Sequence, residues 1–148
     1  MTASSPPHFT LSYQDPFRTV MEHVQSGEHV ITDAPVDNNG LGEAFSPTDL
    51  VSAALCSCVM TIMGIKAKSL GYQEIKMEAQ VWKEMASNPR RIASINIKLE
   101  VSITGVSEKH RDLLERTTRA CPVSRSLHEE VQKNVAFNWV HSQTSTSA

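Results

Sequence analysis

The run Ser46-Pro-Thr-Asp-Leu-Val-Ser-Ala-Ala-Leu-Cys-Ser-Cys58 decides the fold, because it predicts a long buried helix at the centre of the chain. Ser46 is a typical N-cap residue, Pro47 suits the first helical position, and Asp49 stands where a capping-box acid belongs. From Leu50 to Leu70, apolar and small residues fall on nearly every face of a helix. Such a pattern is typical of a helix that is buried on all sides.

The same helix is not expected to span a membrane. Lys66 and Lys68 interrupt the apolar run before it reaches the length that a bilayer requires. Gly71 follows as a natural C-terminal cap. The sequence therefore predicts a core helix of a soluble protein, with no membrane partner.

Strands are predicted on both sides of the helix. Residues 9–13, 17–24 and 29–32 have the composition of three short strands, and residues 33–42 that of a loop. After the helix, residues 74–85 and 95–103 alternate between apolar and polar positions, which predicts an antiparallel hairpin with one buried face. The remaining predictions are a helix capped by Ser107 that ends before Pro122, a short helix from Pro122 to about Glu130, and a strand near 135–140.

This order of elements predicts an α+β fold in which antiparallel sheets pack around the long buried helix. The 148 residues suit one domain, with an ordered core over about 9–140 and loose tails at both ends. The net charge of −2 gives no broad basic field for nucleic acid or an anionic membrane. Three cysteines are too few for a disulfide scaffold, and residues 1–8 lack the apolar region of a signal peptide. A reducing, cytoplasmic setting is expected, where a disulfide is transient and catalytic.

Cys121 has the better local case for a reactive thiol. It precedes Pro122 in the run Cys121-Pro-Val-Ser-Arg-Ser-Leu127, and would therefore sit at the start of the short helix. Unpaired backbone N–H groups and the positive end of the helix dipole favour a thiolate there. The alternative is a cysteine that serves as a small apolar cap.

Cys58 is expected to be inert on local grounds, because burial in an apolar helix raises the pKa of a thiol. It becomes reactive only if a cationic group reaches it from elsewhere in the chain. Cys56 lies two positions away and points to another side of the helix, so it cannot pair with Cys58 and is expected to pack.

A metal site is not expected. The three cysteines with His110, His128 or His141 would give the ligand types of a zinc site, but the spacing differs from that of a structural zinc knuckle. We therefore expect no metal ligands.

Two motifs resemble those of the OsmC/Ohr family. The run that ends at Cys58, eleven residues after Pro47, looks like the first cysteine motif, and Cys121-Pro-Val-Ser124 looks like the second. The order of elements between them also fits, and the resemblance covers roughly residues 9–140. It implies an OsmC-like fold in which two sheets pack around long central helices of an intertwined homodimer, with active sites at the subunit interface.

The resemblance also implies a chemistry. Cys58 would be the peroxidatic thiolate and Cys121 the resolving thiol of an enzyme that reduces organic hydroperoxides. A dithiol, of the lipoyl type in better-studied members, would then reduce the Cys58–Cys121 disulfide. The resemblance implies no metal, flavin or haem cofactor, and it links the chain to antioxidant defence against oxidative stress.

The family supplies a cation to the first thiol through an arginine of the N-terminal strands, which is held by a glutamate just after the motif proline. Arg18 is the only arginine in those strands and is the candidate. The glutamate position is Thr48 in this chain, so Asp49 or Glu43 would have to substitute. The alternative roles are a strand-surface arginine for Arg18, a helix cap for Asp49 and a solvated loop acid for Glu43.

The leading hypothesis is therefore a cysteine-based thiol peroxidase. An apolar wall of Leu50, Leu55, Val59 and Met63 would favour alkyl over hydrogen peroxide. Two alternatives remain open: a non-catalytic OsmC-fold binder of an apolar ligand, and a slow redox sensor. A catalyst loses two free thiols per chain on peroxide addition and recovers them with a dithiol, whereas a binder keeps all three.

Overall fold

The computed structural model describes residues 5–140 and forms two compact units, residues 1–51 and 52–148. Of the predicted loose tails over 1–8 and 141–148, residues 1–4 and 141–148, and His141 with them, lie outside the described residues. The single-domain organisation stays a prediction.

The first unit contains a three-stranded antiparallel sheet. Its strands are β1 (Phe9–Gln14), β2 (Arg18–His23) and β3 (His29–Asp33), paired in the order β1-β2-β3. All three predicted strands are therefore confirmed. A short 3-10 turn over Val36–Asn38 lies in the loop that follows β3.

The side chains that the first unit buries are polar. None of its apolar side chains among residues 5–51 is buried, and its buried residues are Thr32, Asp33 and Ser46. On one face of the sheet, Leu11 lies opposite Met21, which lies opposite Val30. Leu11 is 59% exposed, and Phe9 and Tyr13 on the same strand are exposed as well. These exposed apolar side chains lie together on one face of the sheet.

The central helix α1 (Pro47–Ser69) begins as its sequence predicts. The Ser46 N–H donates to Asp49 Oδ2 at 2.8 Å, and the Asp49 N–H donates to Ser46 Oγ at 3.1 Å. This reciprocal pair is a capping box, which satisfies two backbone donors that the helix itself leaves unpaired. Past the other end of α1, Gly71 has the positive φ of +92° that a C-terminal cap requires.

Burial of α1 on all sides is a wrong prediction for the single chain. Only one stripe is buried, and on the opposite side Ile65 is 65% exposed. By length and composition alone, α1 is long and apolar enough to cross a membrane. Lys66 and Lys68 lie in its last turn and therefore leave most of the apolar run uninterrupted. The buried stripe identifies it instead as a partly buried core helix; that stripe consists of Ser52, Leu55, Cys56, Val59, Met63 and Ala67.

The second unit contains a mixed sheet. Its strands are β4 (Ile75–Ser87), β5 (Arg90–Ile103) and β6 (Gln132–Trp139), in the order β4-β5-β6. The predicted β4–β5 hairpin is antiparallel, but β6 runs parallel to β5, so the prediction of antiparallel sheets is wrong for this pair. A parallel neighbour requires a crossover of a dozen residues or more, which the segment 104–131 supplies.

That crossover contains two helices. The first is α2 (Glu108–Thr117), whose N-cap Ser107 accepts from the His110 N–H at 3.3 Å, as predicted. A 3-10 turn over Thr118–Ala120 leads to α3 (Pro122–Ser126). Leu127 is extended, so α3 ends four residues before the predicted Glu130.

The core of the second unit lies between α1 and the sheet. Alternate residues of β5 face it, and each is at most 4% exposed: Ile95, Ile97, Leu99, Val101 and Ile103. They pack in one cluster with the buried stripe of α1 and with Leu114 of α2. The predicted α+β architecture with two small sheets and a long central helix is thus confirmed.

Candidate active site

The second unit brings two cysteines together that are remote in sequence. Cys58 lies in the middle of α1, and Cys121 lies at the start of α3. Their side chains lie close enough to interact, since Cys58 raises the pKa of the Cys121 thiol, and both thiols are free. The pairing in space that the two cysteine motifs imply is therefore present in the folded chain.

Cys121 is fully buried and caps α3. The Ser124 N–H donates to Cys121 Sγ at 3.3 Å. Burial raises the pKa of the Cys121 thiol, and the hydrogen bond with Cys58 raises it further, while the Ser124 N–H acts in the opposite direction. The expected thiolate at Cys121 is thus wrong: α3 has only five residues, and desolvation outweighs the capping N–H. Cys121 is held as a protonated thiol that can donate to Cys58.

Cys58 is less enclosed than its partner. It is half-buried and packs against the edge of the core cluster. On α1 it lies between the buried stripe that contains Leu55 and the exposed side that contains Thr61. Of the two paired sulfurs, Cys58 is therefore the one that a small substrate can reach from outside the core.

Cys56 has a packing role, as predicted. It is 5% exposed and belongs to the core cluster, where its thiol donates to Met60 Sδ at 3.9 Å. Burial raises the pKa of the Cys56 thiol, which lowers its reactivity. Among residues 5–140 there is no group of three His, Cys, Asp or Glu side chains that could hold a metal ion.

The predicted apolar wall for the substrate is wrong for three of its members. Leu55, Val59 and Met63 are each at most 3% exposed and pack inside the core. They belong to the core cluster against which Cys58 packs, and their buried side chains are not accessible to a peroxide.

Arg18 lies in the first unit and is held by two carboxylates. Its Nη2 donates to Glu43 Oε2 at 2.9 Å and to Asp33 Oδ2 at 3.2 Å. These bonds raise the pKa of Arg18, the Glu43 bond most strongly, so the guanidinium stays charged. Glu43 was among the predicted partners of Arg18, whereas Asp33 was missed.

Asp33 is the buried member of this cluster. Its Oδ2 also accepts from the Glu43 N–H at 3.0 Å, and this bond is the main reason why the pKa of Asp33 is lowered. The pairing with Arg18 lowers the pKa further, against the opposing effect of burial. No local signal in the sequence marks it, because only the pairing of β2 with β3 places this acid opposite Arg18.

Asp49 and Thr48 take part in the start of α1. Asp49 forms the capping box with Ser46, which is the helix-cap role that was predicted as its alternative. Thr48 Oγ1 is hydrogen-bonded to Ser46 Oγ at 3.1 Å. A contribution of Asp49 or Glu43 to the chemistry at the thiols stays a prediction, and so does the approach of Arg18 to Cys58.

Comparisons with known proteins agree with this fold. A profile of the family described as OsmC-like protein matches residues 40–136. An uncharacterized protein of Methanocaldococcus jannaschii is 34% identical over 95 residues, which are 63% of this chain and 50% of that protein. The chain therefore spans about half the length of this curated relative.

Two solved structures extend the likeness over almost the whole chain. One is a protein of Psychrobacter arcticus 273-4 that is described as an osmotic stress induced and detoxification response protein. It is 36% identical, with a TM-score of 0.83, and the match covers 93% of this chain and 100% of that one. The other is the organic hydroperoxide resistance protein OsmC of Legionella pneumophila, at 16% identity and a TM-score of 0.63, with coverage of 90% and 98%. At that identity the likeness shows the fold alone.

Proposed function

This chain belongs to the OsmC-like protein family, and we propose that it is a cysteine-based peroxidase that reduces organic hydroperoxides through a Cys58–Cys121 disulfide. The observation that carries the proposal is the pair of free, interacting thiols, one half-buried and one fully buried. A relative with this fold is an organic hydroperoxide resistance protein.

In the first step, the Cys58 thiolate attacks the distal oxygen of the hydroperoxide. A sulfur–oxygen bond forms as the oxygen–oxygen bond breaks, which leaves Cys58 as a sulfenic acid and releases an alkoxide that takes up a proton to become the alcohol. Cys121 assists because its thiol can donate a hydrogen bond to the Cys58 thiolate. A buried resolving thiol with a raised pKa stays protonated and does not compete for the peroxide.

In the second step, Cys121 condenses with the sulfenic acid. The sulfur–sulfur bond forms and water leaves. An external dithiol of the lipoyl type then reduces this disulfide and is itself oxidised to a cyclic disulfide, which restores both thiols. This cycle needs a reducing compartment, and we place the protein in the cytoplasm for that reason.

Arg18 supplies the positive charge in this proposal. A guanidinium beside Cys58 would stabilise the thiolate and the developing alkoxide, and such preorganised charge is a large contribution to rate in many enzymes. The two carboxylates that hold Arg18 support the role, because a guanidinium fixed in advance needs little reorganisation when the peroxide arrives.

We further propose that the protein works as a homodimer. The apolar face of the first sheet and the exposed side of α1, with Ile65 at its centre, would be covered by a second copy of the chain. This arrangement matches the intertwined dimer that the family resemblance implies, with active sites at the subunit interface.

Peroxide consumption by thiol variants tests the catalytic proposal. With tert-butyl hydroperoxide and a lipoyl-type dithiol, Cys58→Ser should lose all activity above the uncatalysed rate. Cys121→Ser should complete one turnover and then become over-oxidised, because no thiol resolves the sulfenic acid. Cys56→Ser is the matched control on the same helix, and it should retain turnover.

The outcomes separate the alternatives. Wild-type turnover by Cys58→Ser would exclude the proposed nucleophile. A wild-type protein that keeps all three free thiols under excess peroxide would be a binder, and one that forms its disulfide but does not turn over would be a sensor.

A further inference from the structure

The two carboxylates that hold Arg18 differ sharply in exposure. The Asp33 side chain is 1% exposed, whereas that of Glu43 is 62% exposed. An ion pair in solvent contributes little and its side chains remain mobile, while a buried charge pair has a defined geometry. Asp33 is therefore the partner that can fix where the guanidinium points.

Asp33 also fixes the second partner. Its Oδ2 accepts from the backbone N–H of Glu43 at 3.0 Å, so it sets the position of the chain from which the Glu43 side chain reaches Arg18. Its own backbone is anchored, because its N–H donates to the carbonyl of Phe45 at 3.0 Å and it lies in register opposite Arg18. Both contacts of the guanidinium thus depend on Asp33.

The two carboxylate oxygens of Asp33 differ, since Oδ2 accepts from Arg18 and from the Glu43 N–H. Asp33 Oδ1 is buried and has no hydrogen-bond partner among residues 5–140. A buried polar atom without a partner costs free energy of folding, and such atoms are rare unless they have another use.

From these contacts we propose that Asp33 is the positioning residue for Arg18 in the proposed peroxidase reaction. This inference rests on the proposed function, since it assigns Asp33 a role only through Arg18. Asp33 touches neither the peroxide nor the thiols. Its proposed role is to hold the guanidinium in the orientation that the proposed reaction at Cys58 requires.

A double-mutant cycle tests the proposal. The rate constant for the reaction of Cys58 with tert-butyl hydroperoxide is measured in single turnover for wild type, Asp33→Asn, Arg18→Met and the double variant. We expect Asp33→Asn to lower it about tenfold to a hundredfold, the size of effect that a displaced catalytic group produces. In the Arg18→Met background the same substitution should change it less than about twofold, because nothing is left to position.

Glu43→Gln is the matched control, since it neutralises the exposed carboxylate of the same cluster. We expect it to cost no more than about threefold. Circular dichroism and thermal melting establish that each variant is folded at the assay temperature. If Asp33→Asn does not fold, Asp33→Glu replaces it in the cycle, and if Arg18→Met does not fold, Arg18→Lys does.

Each result decides one question. A loss that appears only when Arg18 is present supports the positioning role. An equal loss in both backgrounds, or no loss in Asp33→Asn, overturns it and leaves the peroxidase proposal intact. A wild-type rate in Arg18→Met would exclude Arg18 from the mechanism and would therefore also exclude the positioning role of Asp33. Inactivity of the wild-type protein would refute the proposed function itself.

Discussion

The two units of the chain differ in what they bury. Residues 52–140 bury thirteen apolar side chains in one cluster around α1 and β5, whereas residues 5–51 bury none and enclose Thr32, Asp33 and Ser46 instead. The second unit therefore has a hydrophobic core of its own, and the thiol pair lies at that core. The first unit has paired polar groups and an apolar sheet face that is open. Under the proposed function, the two thiols therefore lie in a unit with a core of its own, whereas Arg18 lies in a unit that lacks one.

The core of the second unit should give the largest effect on stability. Leu99 is fully buried at the centre of β5, so we expect Leu99→Ala to lower the free energy of unfolding by about 2–5 kcal/mol. Urea denaturation followed by circular dichroism measures it. The control is Val36→Ala in the first unit, because Val36 is 74% exposed and should cost no more than about 0.5 kcal/mol. Equal losses in the two variants would contradict the contrast between the units.

The open face of the first unit should respond to a charge through association rather than through folding. Leu11→Asp places a carboxylate on that face, and we expect it to shift the proposed dimer to monomer in sedimentation velocity. Val36→Asp is the matched control, since it adds the same charge at an apolar residue that lies outside the sheet. A wild type that sediments as a monomer would refute the homodimer, and an unchanged dimer in Leu11→Asp would exclude this face as its interface.

Sequence patterns sufficed wherever the cause is local. The capping box at Ser46 and Asp49 involves side chains three residues apart, so its donors and acceptors are readable in the run itself. The alternation of β5 gave its buried face because side chains of a strand point in turn to opposite faces. The frames around Cys58 and Cys121 identified two thiols that the fold does bring together.

Sequence patterns failed wherever the cause is tertiary. The direction of β6 depends on the crossover 104–131 rather than on its own residues. The raised pKa of Cys121 comes from its burial and from Cys58, both of which lie beyond its local frame. Asp33 was missed because an acid at the end of a strand has no local signature, and only the pairing of β2 with β3 places it opposite Arg18.

The two units should also respond to pH in opposite directions. Asp33 in the first unit has a lowered pKa, so its stabilising contribution is present above the ordinary aspartate pKa of about 3.9 and is lost as the pH falls through its folded value. Cys121 in the second unit has a raised pKa. Its contribution is present below the ordinary cysteine pKa of about 8.5 and is lost as the pH rises, because the unfolded thiol ionises first.

Two substitutions separate the acid limb from the alkaline limb of the curve of unfolding free energy against pH. Each should change the slope of that curve by the equivalent of less than one bound proton, which is the smallest of the expected effects. Asp33→Asn should flatten the acid limb. Cys121→Ser should flatten the alkaline limb only in part, because Cys56 is buried with a raised pKa as well. Urea denaturation of the reduced protein across pH provides both slopes. If Asp33→Asn left the acid limb unchanged, or Cys121→Ser left the alkaline limb unchanged, the assignment of these limbs to the two residues would be wrong.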